Sequence, residues 1–141
     1  MSGTVSITVF EGLDAGSDAT AEICADGTTL DLFTALGGSP DAGGIWNNKD
    51  GAMVSLTDPT AVDFSGVSAG TYRFGYSVIS TGGPCTSKSS ILTVTVNGLP
   101  NAGNDVRVPV CVDPNGTIVD LMALIDPNAD AGGSWSDGSS S

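Results

Sequence analysis

Across residues 70–80, Tyr72, Phe74, Tyr76 and Val78 fall on every second position, with Thr71, Arg73 and Ser77 between them. A period of two is that of a strand with one buried face, so this stretch predicts a core β-strand. The same alternation recurs elsewhere. Ala19, Ala21, Ile23 and Ala25 alternate with Thr20, Glu22, Cys24 and Asp26, Leu30 and Leu32 flank Asp31, and Gly43-Gly44-Ile45-Trp46 leads a third strand. Ala52, Val54 and Leu56 predict another, Val62 and Phe64 a short one, and residues 90–96 the last. Turn signals separate them: Asp26-Gly27 as a hairpin turn, Asp58-Pro59, Ser68-Ala69-Gly70, and Thr81-Gly82-Gly83-Pro84. Leu32 to Leu36 predicts at most a helical turn. About seven short strands with regular turns predict an all-β chain folded as a sandwich with Trp46, Tyr72, Phe74 and Tyr76 in its core.

The pattern repeats. Ala15-Gly16-Ser17-Asp18 returns as Ala102-Gly103-Asn104-Asp105, 87 residues on (102 − 15), and Cys24 returns as Cys111 at the same spacing. After an inserted Pro114-Asn115 the spacing is 89 (130 − 41): Asp31-Leu32 matches Asp120-Leu121, and Asp41-Ala42-Gly43-Gly44-Ile45-Trp46 matches Asp130-Ala131-Gly132-Gly133-Ser134-Trp135. Val106, Val108, Val110 and Val112 alternate as the Ala19 stretch does, and Pro109, which lacks an N–H, holds the place of Glu22, which argues for an edge strand. Val5, Ile7 and Val9 stand where Leu92, Val94 and Val96 stand 87 residues later. The chain therefore divides into residues 1–13, the last strand of a preceding repeat or a donor strand, residues 14–98, a complete repeat, and residues 99–141, the first part of the next. Trp135, in the place of Trp46, is expected in a core too. About three strands in that last part are too few to bury both faces of a sandwich, so it is expected to fray, to pack on the complete repeat, or to be completed by a strand of another chain, for which Val5, Ile7 and Val9 have the right pattern; in a longer polypeptide the following residues would do this.

Charge narrows the partners. Four Lys and Arg oppose sixteen Asp and Glu, a net charge of −12, which repels nucleic acid and anionic membranes. No apolar run reaches the roughly 20 residues of a membrane span, and no signal peptide follows Met1, so the chain is expected to be an excised piece of a longer secreted protein. Fourteen of the sixteen acids are Asp, which reads first as a set of Asx turns. With no histidine and no singled-out acid pair, an enzyme is not expected.

Cys24 on the outward side of its strand and Cys85 in the turn before the last strand are expected to form a disulfide, with two free thiols as the alternative; an oxidising compartment would follow. Cys111 is left unpaired by truncation, since the matching cysteine would fall near position 172 (85 + 87). Asp126, Asn128, Asp130 and Asp137 mimic the spacing of a calcium loop, although Ala131 stands where that loop needs glycine. Asp14 and Asp18, repeated as Asn101 and Asp105, offer a second place for Ca2+ between repeats, against the reading of a solvated linker. Asn115-Gly116-Thr117 fits a glycosylation sequon that an Asn-Gly turn explains equally.

The series Ala-Gly-x-Asp, Cys24, Asp31-Leu32, Gly43-Gly44-x-Trp46, Gly70-Thr71-Tyr72-x-Phe74-x-Tyr76, Cys85 and a Val-x-Val last strand resembles the tandem immunoglobulin-like or PKD-like repeats of large surface proteins in Bacteroidetes-type bacteria. The resemblance covers almost the whole chain. It implies an immunoglobulin-like β-sandwich in which Trp46 packs centrally and the Tyr72 hydroxyl returns to the preceding turn. It further implies a secreted, non-catalytic module of an adhesin or filament at the bacterial cell surface, similar to those exported by type IX secretion, whose C-terminal sorting domain is not in this sequence. Partners would be neighbouring repeats or other copies of the chain, with surface glycans or proteins beyond them. Two alternatives stand beside it: self-assembly by strand complementation between chains, and a carbohydrate-binding module using exposed aromatic rings.

Overall fold

Alternating apolar side chains set the strands of this protein, and Asx and glycine turns end them. The computed structural model describes residues 1–138 and divides into two units, Met1–Leu99 and Pro100–Ser141. The first unit holds β1 (Ala19–Cys24), β2 (Thr29–Leu30), α1 (Leu32–Ala35), β3 (Ile45–Asn48), β4 (Val62–Asp63), β5 (Gly70–Val78) and β6 (Lys88–Asn97). Four strands form one sheet in the order β1-β6-β5-β3, and β2 pairs with β4 in a second. β5 pairs antiparallel with both β6 and β3, whereas the edge strand β1 runs parallel to β6, with Ala19 opposite Leu92 and Cys24 opposite Asn97. Among the described residues the regular structure is mostly β-strand, with two single-turn helices.

Both sheets feed one core. Phe74 and Tyr76 of β5 and Leu92, Val94 and Val96 of β6 are buried together with Leu32, Val62 and Phe64 from the second sheet and its flanks. Phe64 meets Phe74 edge to face at 5.9 Å. Each such side chain taken fully out of water contributes about 1.5–3 kcal/mol before the entropy of ordering it is counted. Tyr72, half-buried at the margin, donates its hydroxyl to the carbonyl of Ser68 at 3.0 Å and so ties the start of β5 to the turn before it.

Two expectations about this unit are corrected. Residues 52–56 are not a strand, so the unit has six strands rather than about seven. Ala52 is buried and Val54 and Leu56 are half-buried, so the alternation is real, but the backbone is engaged locally. Asn48 accepts from the N–H groups of Gly51 and Ala52 and donates to the Ala52 carbonyl, folding the segment back on the end of β3 before it can meet a neighbour. Asp26-Gly27 is a tight turn, with the Thr28 N–H donated to Asp26, but it makes no hairpin, because β1 and β2 lie in different sheets.

In the second unit α2 (Leu121–Leu124) is the only helix, and no strand occurs among the described residues. The expected three strands are absent for a physical reason. A strand needs a ladder, β1 finds its ladder on β6, and among the described residues no segment is laddered to residues 106–111. Local hydrogen bonding is nevertheless copied closely. Asp31 caps α1 through the N–H groups of Phe33 and Thr34, and Asp120 caps α2 through those of Met122 and Ala123. The Asp14 N–H donates to the Asp41 carboxylate, and the Asn101 N–H donates to the Asp130 carboxylate, both at 2.8 Å.

Candidate functional site: an open apolar groove

The site begins with a side chain that is present once and absent once. In the first unit Tyr76 donates its hydroxyl to the Asp41 carbonyl at 2.6 Å and accepts from the Gly44 N–H at 2.8 Å, while its ring packs on Trp46 at 4.9 Å and on Phe33 at 5.7 Å. This explains the Asp-Ala-Gly-Gly-x-Trp motif. Gly43 takes a φ of +86°, and a methyl on Gly44 would come within 2.5 Å of the tyrosine Cζ. In the second copy Gly132 keeps the turn at φ +91°, but a methyl on Gly133 would meet no atom within 4 Å, because residues 100–141 hold no tyrosine.

The second unit has a cleft of about 520 Å3. Val106, Val108 and Val110 form one wall, Leu121 and Leu124 of α2 another, and Trp135 stands at one side. Their counterparts in the first unit are Ala19, Ala21 and Ile23 of β1, Leu32, Ala35 and Trp46, of which Ile23 and Leu32 are buried in the core and the others pack against it. Trp135, expected in a core, is 53% exposed, which corrects that expectation: its wall lacks the opposing ring. Residues 4–10 show the complementary condition. Val5, Ile7 and Val9 are 85%, 84% and 88% exposed, in no strand.

The cysteines are not brought together. Cys24, Cys85 and Cys111 are all free thiols, and the expected Cys24–Cys85 disulfide is corrected by strand direction. Because β1 runs parallel to β6, Cys24 lies beside Asn97 at the end of β6, whereas Cys85 precedes Lys88 at its beginning. Roughly 30 Å of strand separates those ends at about 3.3 Å per residue, against a Cα limit near 7 Å for a disulfide. Cys85 instead donates its thiol to the Glu11 carbonyl at 3.2 Å, beside Phe10 and Gly83.

Several of the acids proposed for calcium accept hydrogen bonds from the protein itself. Asp14 accepts from the Gly16 N–H, Asp18 from the Ile91 N–H and Asp130 from Asn101. Asp126 accepts from the backbone and side chain of Asn128 and from Asn104, and the Asn128 contacts hold its carboxyl below the usual carboxylate range. Among the described residues, Asp105 and Asp137 included, no group of three or more His, Cys, Asp or Glu is placed to hold a metal ion. No described helix is long and apolar enough to cross a membrane.

Comparison with known families, characterised proteins and solved structures finds no match to this chain. The groove is therefore read from its own geometry. The repeat in the sequence pointed to an unfilled partner site, but the lining by α2 and the role of Tyr76 were legible only in retrospect, through the Asp31 and Asp120 caps and the double glycine.

Proposed function

We propose that the chain is a structural and adhesive repeat of a bacterial cell-surface adhesin or filament, outside the cell and without catalysis of its own, built from immunoglobulin-like sandwiches strung end to end. The observation that carries this reading is the parallel pairing of β1 with β6. It places the entry of the repeat, before Ala19, and its exit, after Asn97, at opposite ends of the same sheet edge. That layout suits beads joined in line. Support for the sandwich comes from the two sheets sharing one core, from the Tyr72 hydroxyl on the Ser68 carbonyl, and from Trp46 on Tyr76. The copied caps and Asp–Asn contacts of the second unit support a tandem array. A surface with sixteen acids against four bases stays soluble and resists chance association with other acidic surfaces.

Small-angle scattering from a polypeptide carrying several copies of the repeat tests this. The expected maximum dimension grows in proportion to the number of copies, and a compact particle would sink the reading.

A further inference from the structure

Residues 10–18 carry the chain into the first unit, and they are held along their length. Exposure falls from 88% at Val9 to 51% at Phe10 and 2% at Ala15. The Phe10 ring lies on the turn between β5 and β6, residues 79–87, where a methyl on Gly83 would sit 3.6 Å from it. Gly82 and Gly83 take φ values of +137° and +138°, so the turn offers bare backbone at that point. The Ser80 N–H donates to the Ser87 hydroxyl at 3.0 Å and closes the base of the turn. One residue further on, the Cys85 thiol donates to the Glu11 carbonyl, and Leu13 packs against the core.

Behind Leu13 comes a two-way clasp. The Asp14 N–H donates to the Asp41 carboxylate and the Asp41 N–H donates to the Asp14 carbonyl, each at 2.8 Å. Ser17 and Gly37 then exchange two backbone hydrogen bonds, and the Ile91 N–H donates to the Asp18 carboxylate. The second unit repeats the clasp within itself: the Asn101 N–H donates to the Asp130 carboxylate and the Asp130 N–H to the Asn101 carbonyl, again each at 2.8 Å. Domains joined by a short exposed link move relative to one another by default, and a free link needs residues without such partners.

We propose that the β5–β6 turn is a socket for the segment that arrives from the preceding repeat of the same polypeptide, gripping the Phe10 ring and the Glu11 carbonyl, with the Asp14–Asp41 clasp as the stop behind them. The inference rests on the tandem-repeat reading above and names the surface through which one repeat holds its predecessor. Charge suits the contact. Residues 1–10 and 79–87 contain no acidic or basic side chain in a chain of net charge −12, so two acidic repeats meet here without repulsion. The joint then has no slack between Phe10 and β1, and the stiffness of an array is supplied by the following repeat of each pair.

Backbone amide relaxation by NMR on the full chain is the test. Order parameters of ~0.85, equal to those of β5, are expected for residues 11–17, and Phe10→Ser is expected to lower those of residues 10–13 below ~0.6. Thiol kinetics give a second readout. In the full chain carrying Cys24→Ser and Cys111→Ser, Cys85 is the one thiol left, and Phe10→Ser is expected to speed its alkylation by iodoacetamide about tenfold, with Phe10→Leu restoring the slow rate. Phe10 is half-exposed, so both variants are expected to keep the native fluorescence of Trp46. Order parameters below ~0.6 at residues 10–13 of the wild type, or a folded Phe10→Ser chain in which neither order nor alkylation rate changes, would overturn the proposal. Scattering from several copies reports their alignment and these measurements report the grip on the entering segment, so either reading can fail alone.

Discussion

Trp46 and Trp135 hold the same place in the same motif and meet different surroundings. Trp46 lies against Tyr76 in a unit whose strands close on one another, whereas Trp135 stands at the rim of a cleft. The second unit keeps the caps, the glycine turn and the backbone N–H to Asp carboxylate contact of the first, yet none of its alternating valines is in a strand. Local chemistry within about thirty residues is thus enough to set turns and single helical turns, and strands wait for a partner far along the chain.

The sharpest way to break this comparison is to open the closed unit. Phe74→Ala removes a fully buried ring that meets Phe64, and a loss of about 3–5 kcal/mol is expected in urea unfolding followed through Trp46. A loss under ~1 kcal/mol would mean that the first unit is not held by its core. Next comes a matched pair. Gly44→Ala forces a methyl onto Tyr76 and is expected to cost about 1–3 kcal/mol, while Gly133→Ala, in open space, is expected to change nothing in the same assay. Equal effects at the two glycines would erase the difference between the copies. Smaller again, Tyr72→Phe removes the hydroxyl from the Ser68 carbonyl, and about 1 kcal/mol is expected, read as a shift of the urea midpoint at unchanged slope.

The smallest expected effect is electrostatic. Asp50 accepts from the backbone N–H and the guanidinium of Arg73, and that side-chain contact holds the Asp50 carboxyl below its usual 3.8 and raises Arg73. A carboxyl depressed in the folded state stabilises fully above its unfolded value and loses that contribution as pH falls through the folded value. Asp50→Asn should therefore lower the unfolding midpoint slightly at neutral pH, and the gap from wild type should close in acid below the ordinary carboxylate range. A gap that is constant with pH would assign the effect to something other than this pair.

Much of the closed unit was legible in the sequence because its signals are local. The period-two stretch at Tyr72 to Val78 gave β5, a helical turn was expected within Leu32 to Leu36 although Asp31 and Leu32, read with Leu30 as a strand, instead cap and open α1, and the strand at residues 90–96 lies within β6. What failed depended on pairing. The alternation at Ala52, Val54 and Leu56 carries no information about whether a ladder is free beside it, and Asn48 had already claimed the backbone there. The disulfide failed because an outward cysteine on an edge strand says nothing of whether that strand runs parallel or antiparallel to its neighbour, and here the direction moves Cys24 to the far end of β6 from Cys85. For the groove, the repeat announced an unpartnered wall at Val106, Val108 and Val110, while the contribution of Leu121 and Leu124 needed the coordinates.

The parallel β1–β6 edge also decides how the closed unit answers a pull. With the chain entering before Ala19 and leaving after Asn97, tension applied through the two termini drags these neighbours lengthwise past each other. Their hydrogen bonds lie across that direction, so the whole rung set is loaded in shear and must give way together instead of opening one rung at a time like a zip. A tether made of such links would stretch little until it yielded abruptly.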